Sequence, residues 1–421
     1  MSRRLAVWNG ITRDIAATLF GRAGASVLRL VTAVVLARVL RAEDYGLAAV
    51  LLNSGLLLST TLEFGLGASY IQQEALSPPK QQEHRFSQLF LGRLCLWFVL
   101  LVVAALVYGV THRVSLLSIA VLVYGTGQNL CNSTLLHYQV RQDFRGYARV
   151  GLQMAALQLV WVGAAGIAYA LRPYPLKGLL FLIALSGWAP LPLLLSPLPL
   201  QIPPPFLRSW REDVRYLLRL LPFGKWVGLS SIAVQAFSRY GVLLLGSQAA
   251  LAEAARYDVA MSVGRSINLL AQSTAAALFP RFAQLQGPEH ARRWLPSILR
   301  NGGLVVGLGL CLYYLLGRWM VPILFGSGYR SSVIYLDILM PGLLLPLLAE
   351  VVVGVVTFTL SSPASVFWVR MAKLLAFLAS GHWLLAHYAV RGLAAAQTLL
   401  ALGETVAILA FAFWAARKKQ R

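Results

Sequence analysis

Acidic residues are scarce in this sequence. It carries 15 Asp and Glu against 37 Lys and Arg, and charged residues of all kinds make up 12% of its 421 positions. Soluble globular chains carry roughly 25%. With 58% hydrophobic residues, a soluble core of this length could not cover its own apolar surface, whereas a bilayer can meet that surface directly. A net charge of +22 on a soluble protein would suggest nucleic acid. Here the bases are spread along the chain in short segments between apolar runs. Anionic headgroups and the positive-inside rule select that pattern, and it argues against a nucleic-acid partner. Cysteine is also rare. Cys95, Cys131 and Cys311 each lie in an apolar run with no metal-ligand spacing, so they read as small hydrophobes outside any disulfide framework. No metal cluster, nucleotide loop or nucleophile motif stands out, so neither a cofactor nor covalent enzyme chemistry is expected. Gly21-Arg22-Ala23-Gly24 lacks the strand–turn–helix context that a phosphate loop needs.

What is present is a series of apolar runs of about 20 residues, the length that spans a hydrocarbon core as helix. The expected spans are 12–38, 44–72, 87–109, 114–138, 147–171, 178–198, 217–246, 253–283, 295–317, 332–359, 364–388 and 391–415. The charged start of the chain leads into the first run with no small-residue cleavage site, which suggests a retained span. Between the sixth and seventh runs lies Ser196 to Pro205, rich in proline, which cannot continue a helix and makes a stiff connector. A basic amphipathic stretch follows, Phe206 to Arg219, suited to the membrane surface.

The fold class expected is therefore all-α: a polytopic membrane protein of about twelve transmembrane helices in two six-helix lobes around a central cavity. The lobes would be 1–199 and 217–421, with 200–216 as linker. Ala42-Glu43-Asp44-Tyr45-Gly46 opens the second span and Ala254-Ala255-Arg256-Tyr257-Asp258 the eighth, a weak internal echo consistent with repeated halves. Lys and Arg divide between the two sides of the membrane by roughly two to one. That count and the even number of spans place both termini in the cytoplasm.

Several charges fall inside spans, where each costs about 2.5–3.5 kcal/mol even on a lenient insertion scale. Arg22, Ser26 and Arg29 share one face of the first span; Asn53, Thr60 and Glu63 cluster on the second. Lys225 and Arg239 lie close to four whole turns apart on the seventh, and Asp258, Ser262, Arg265 and Gln272 form one stripe on the eighth. If these four helices meet between the lobes, they line a cationic path. Five bases (Arg22, Arg29, Lys225, Arg239, Arg265) face two acids, Glu63 and Asp258. Arginine matches phosphate with paired N–H donors, so a phosphate or pyrophosphate headgroup suits the path. Glu63, Asp258, Glu350 and Glu404 are candidates for coupling to a proton or sodium gradient. The competing reading pairs Glu350 or Glu404 with Arg370 or Lys373 as a structural brace. Arg93 and Arg300, near span starts, are expected to snorkel to the interface. Gln128, Asn129, Asn132, Ser133 and His137 on the fourth span are expected to hydrogen-bond neighbouring helices.

Local motifs then carry a resemblance. Leu36 to Leu47 (LARVLRAEDYGL), Glu63 to Gly67 (EFGLG), Arg239 to Gly246 (RYGVLLLG), Arg256 to Ala260 (RYDVA), Leu278 to Phe282 (LFPRF) and Leu324 to Tyr329 (LFGSGY) occur in this order. The set resembles the bacterial polysaccharide and O-antigen flippases, the polysaccharide-transporter branch of the multidrug/oligosaccharidyl-lipid/polysaccharide exporter superfamily. Two positions depart from the pattern: Ser238 stands where an acid is usual, and Asp258 where a small or neutral residue is usual. The resemblance implies alternating access between the lobes in the bacterial inner membrane. The cargo implied is an undecaprenyl-pyrophosphate-linked oligosaccharide carried from the cytoplasmic to the periplasmic leaflet. Membrane lipids, H+ or Na+, and other polysaccharide-assembly proteins are the expected partners. Other readings are an exporter of small organic molecules on a related fold and a membrane glycan polymerase or ligase.

Overall fold

In a computed structural model, residues 2–74, 77–111, 115–171, 175–196, 198, 206–266, 287–360 and 362–418 are described. Most of the proline-rich connector, Gln272 and the LFPRF motif lie outside them. The described chain is helical, in the order α1 (Ser2–Val39), α2 (Ala42–Glu63), α3 (Leu66–Glu74), α4 (Pro79–Thr111), α5 (Leu116–Val140), α6 (Phe144–Leu171), α7 (Leu176–Leu185), α8 (Leu191–Leu195) and α9 (Phe206–Ser247). There follow α10 over 251–266, α11 (Pro288–Leu312), α12 (Arg318–Phe325), α13 (Ser332–Leu344), α14 (Pro346–Gly354) and α15 (Pro363–Lys418). The protein is an all-α polytopic membrane protein.

Eight helices among the described residues are long and apolar enough to cross a membrane. Of the remaining expected spans, 253–283 lies outside the described residues beyond 266, and the others have identifiable reasons for falling short. α5 has the length but carries the polar stripe, and the sixth span is split between α7 and α8. α15 is long enough for two crossings, and Ala389 (φ 52°) interrupts it between the eleventh and twelfth expected runs. The basic stretch from Phe206 forms one continuous helix with the seventh span, with Pro222 inside it.

Helices in lipid have no water to satisfy their backbone, so each keeps its hydrogen bonds internal and turns apolar side chains outward. Phe98, Leu106, Leu304 and Leu308 are accordingly exposed. The chain divides into two compact units, Ala48–Gln235 and Met1–Leu47 with Ala236–Arg421. The first unit packs around Phe86, Phe90, Trp97, Leu130 and Met154. The second has a core of Leu295, Val352, Val355, Ile408 and Ala412.

Within the first unit α2 ends abruptly. Phe64 (φ 43°) and Gly65 (φ 73°) are both left-handed, and α3 restarts at Leu66. A Cβ on Gly65 would lie 2.1 Å from the Gly224 carbonyl oxygen and 2.8 Å from the Gly228 nitrogen, so α9 crosses this corner backbone to backbone. Gly65→Ala adds a left-handed penalty to an overpacked contact, together about 2–4 kcal/mol. Thermal unfolding in detergent should show a clear loss of stability relative to Gly163→Ala, whose added Cβ meets nothing within 4 Å.

Candidate functional site

The charged residues expected on the eighth span form a cluster in the unit containing α10. Asp258, Ser262 and Arg265 fall at i, i+4 and i+7, which one helix face collects. The Arg265 Nη2 donates to Asp258 Oδ1 at 2.5 Å and to Ser262 Oγ at 3.1 Å. Tyr45, at the start of α2, donates its Oη to Asp258 Oδ2 at 2.9 Å. Asp258 is 5% exposed, so both carboxylate oxygens are committed in a dry setting where such bonds are strong. The Tyr329 ring packs edge-on against Tyr45, centroids 6.0 Å apart. Burial first, then opposing effects of Arg256 and Asp258, leave the Tyr329 phenol pushed up to about 12. Backbone approach holds the elements in register. A Cβ on Gly46 would lie 1.9 Å from the Leu251 carbonyl oxygen, and Ser26 Oγ on α1 donates to the Ser266 carbonyl at 3.5 Å.

The other candidates occupy varied surroundings. In the same unit Arg22 is half-buried and Arg29 exposed, while Arg239 is 8% exposed. Lys225 belongs to the other unit, where it is exposed with its Nζ 5.4 Å from the Trp226 ring centroid. Glu63 is half-buried at the last residue of α2. Glu350 and Glu404 meet Arg370 and Lys373: Arg370 donates to Glu350 Oε1 at 2.6 Å and to Glu404 Oε1 at 3.1 Å, and Lys373 donates to Glu404 Oε2. The structural pairing weighed for these acids is thus formed.

The stripe on α5 bonds its neighbours as expected. Gln158 of α6 donates to Gln128 at 2.5 Å, and Asn129 donates to the Ser59 carbonyl of α2 at 2.8 Å. Arg93 corrects its expectation. It is 4% exposed and donates to Ser133 Oγ at 2.5 Å, far from snorkelling. Arg300 is exposed.

Sequence reasoning missed Tyr45 as the partner of Asp258. The echoed motif held a signal. Its two tyrosines, Tyr45 and Tyr257, both donate to buried acceptors, Asp258 and Gln397 respectively. It also missed Arg38, whose Nε and Nη2 cap the carbonyls of Leu324 and Ile323 at 2.6 Å each, cation against helix C-terminus. Among the described residues no three His, Cys, Asp or Glu side chains converge as a metal site would require.

A family model described as "Polysaccharide biosynthesis protein" matches residues 11–286. The chain belongs to this family. The resemblance read from the motifs therefore holds. Solved structures share the fold of this chain. It aligns with the lipid II flippase MurJ in an inward closed conformation at TM-score 0.70 and 9% identity, covering 95% of this chain and 87% of that one. It aligns with the Vibrio cholerae MATE transporter VcmN at TM-score 0.61 and 13% identity, covering 100% and 98%. An inward-facing multidrug resistance MATE family transporter of the MOP superfamily gives TM-score 0.63 at 13% identity, covering 93% of each. At these identities the likeness is one of fold. Among curated proteins, none matches the chain by sequence.

Proposed function

We propose that this protein is a flippase that moves a lipid-linked oligosaccharide, carried on undecaprenyl pyrophosphate, from the cytoplasmic to the periplasmic leaflet of the bacterial inner membrane. Both termini would be cytoplasmic. The observation that carries the reading is the family match over 11–286 in a fold also adopted by a lipid II flippase. The chemistry of Arg265 supports it. Its present anion, Asp258, sits two turns away on the same face of its own helix, and a phosphate oxygen could take that place with equal or better bonding to the guanidinium fork.

Arg22, Arg29 and Arg239 are the further proposed contacts of the pyrophosphate. Movement would come from alternating access, a conformational cycle without covalent chemistry. Ion coupling is proposed through Asp258, because a phosphate that takes Arg265 draws its cationic partner away from this buried carboxylate. Glu63 is the second candidate, with H+ or Na+ as the coupling ion. Other polysaccharide-assembly proteins would supply and receive the cargo.

Purified protein in liposomes containing a fluorescent undecaprenyl-pyrophosphate oligosaccharide tests the reading. Reduction by an impermeant quencher should reach the fraction of label accessible from both leaflets, against half in protein-free vesicles. Label confined to one leaflet would sink it. The second reading, export of small organic molecules, rests on the MATE-like fold. It predicts that the same vesicles move a fluorescent organic cation while the lipid-linked probe stays in place.

A further inference from the structure

The four-charge network in the second unit does not take part in the scheme above. Arg370 and Lys373 lie one turn apart on α15, Glu404 lies beyond the Ala389 interruption of the same element, and Glu350 is on α14. Arg370 bridges the acids, bonding Glu350 at 2.6 Å and Glu404 at 3.1 Å. Lys373 takes the remaining Glu404 oxygen. The Lys373 Nζ also sits 4.0 Å from the centroid of the Phe237 ring on α9. Two acids meet two bases, so the group is neutral, and both cations are 8% exposed.

A carboxylate oxygen, an aromatic face and burial from water form the surroundings that hold a desolvated monovalent cation. An isolated acid pair in a membrane would recruit such an ion or a proton. Here the cation is part of the chain.

We infer that the Lys373 ammonium is a tethered occupant of a monovalent-cation site built from Glu404 and the Phe237 ring. While it is seated, Glu350 and Glu404 bind neither sodium nor a proton during transport. The inference stands apart from the identity of the cargo.

Lys373→Ala tests it. Truncation removes the ammonium and leaves space beside Glu404, whereas Lys373→Met fills that space with an apolar chain. Thermal unfolding of the detergent-purified protein is followed in sodium, potassium, methylammonium and N-methyl-D-glucamine chlorides at equal ionic strength. The wild type and Lys373→Met should give one midpoint in potassium, methylammonium and N-methyl-D-glucamine, and should respond alike to sodium. Lys373→Ala should gain a saturable rise of about 2–4 °C in the small cations, largest in methylammonium, and none in N-methyl-D-glucamine. Adding Glu404→Gln to Lys373→Ala should erase that response. Should Lys373→Ala fail to fold without small cations, the recovery of monodisperse protein in methylammonium against N-methyl-D-glucamine is the readout, with higher recovery expected in methylammonium. Equal midpoints, or equal recovery, for Lys373→Ala in all salts would overturn the inference.

Discussion

Arg265→Ala should abolish glycan export in a strain that depends on this protein, even where the variant reaches the membrane. Two separable losses are involved. Removing a guanidinium that bonds phosphate forfeits about 1.5–3 kcal/mol per charge-assisted bond, which is about 10- to 150-fold in affinity. Removing it also strands Asp258, which is 5% exposed, and breaking one side of a buried pair costs about 3–5 kcal/mol. The single variant thus loses stability as well as function, and stability alone could explain the phenotype. Arg265→Ala with Asp258→Asn separates stability from transport as a whole, since it removes the proposed coupling carboxylate together with the guanidinium. The asparagine keeps an acceptor for the Tyr45 hydroxyl, which now bonds Asp258 at 2.9 Å, and carries no charge that needs a partner. Thermal unfolding should return most of the way to wild type, while export stays absent. Arg265→Lys keeps the charge without the planar fork and should fall between. A double variant that exports at the wild-type rate would remove Arg265 from the binding site.

The span pattern was legible because its cause is local. A run of apolar residues in lipid must keep its backbone bonds internal whatever surrounds it, so the expected stretches are mostly helix where the chain is described, apart from turns such as those at 64–65 and 186–190. The interruption at Ala389 falls between the runs 364–388 and 391–415. What stayed hidden depends on partners distant in sequence. The expected span 44–72 contains the Phe64–Gly65 break, which is imposed by the close approach of Gly224 and Gly228 on α9. Arg93 was expected at an interface because its span was taken to start at 87. α4 starts at Pro79, two turns earlier, which carries Arg93 deeper and onto Ser133. The stripe Asp258–Arg265 was readable from spacing, but Tyr45 lies 213 residues away. No periodicity connects residues so far apart. For Glu350 and Glu404, charge matching within the second half supplied the partners without supplying the geometry.

Glu404→Leu should be the most damaging single change to folding. Glu404 holds two cations at once, accepting from Arg370 Nε on one oxygen and from Lys373 Nζ on the other. Without it, Glu350 alone faces both, and it bonds only Arg370. An uncompensated ammonium would remain against the Phe237 ring in a region without water to solvate it. Removing one partner from a buried pair costs about 3–5 kcal/mol, a large share of the total stability of about 5–15 kcal/mol typical of folded proteins. The expected result is loss of monodisperse protein on solubilisation, or a thermal midpoint far below wild type. Charge balance makes a sharper prediction than damage does. Glu404→Leu with Lys373→Met removes one acid and one base, leaves the Arg370–Glu350 pair intact, and fills both positions with apolar volume. Replacing a buried ion pair by packed apolar residues is often neutral or stabilising, so the double variant should unfold near or above the wild-type midpoint. If it unfolds as early as Glu404→Leu alone, the acid is required for something other than neutralising Lys373, and the network is more than a brace.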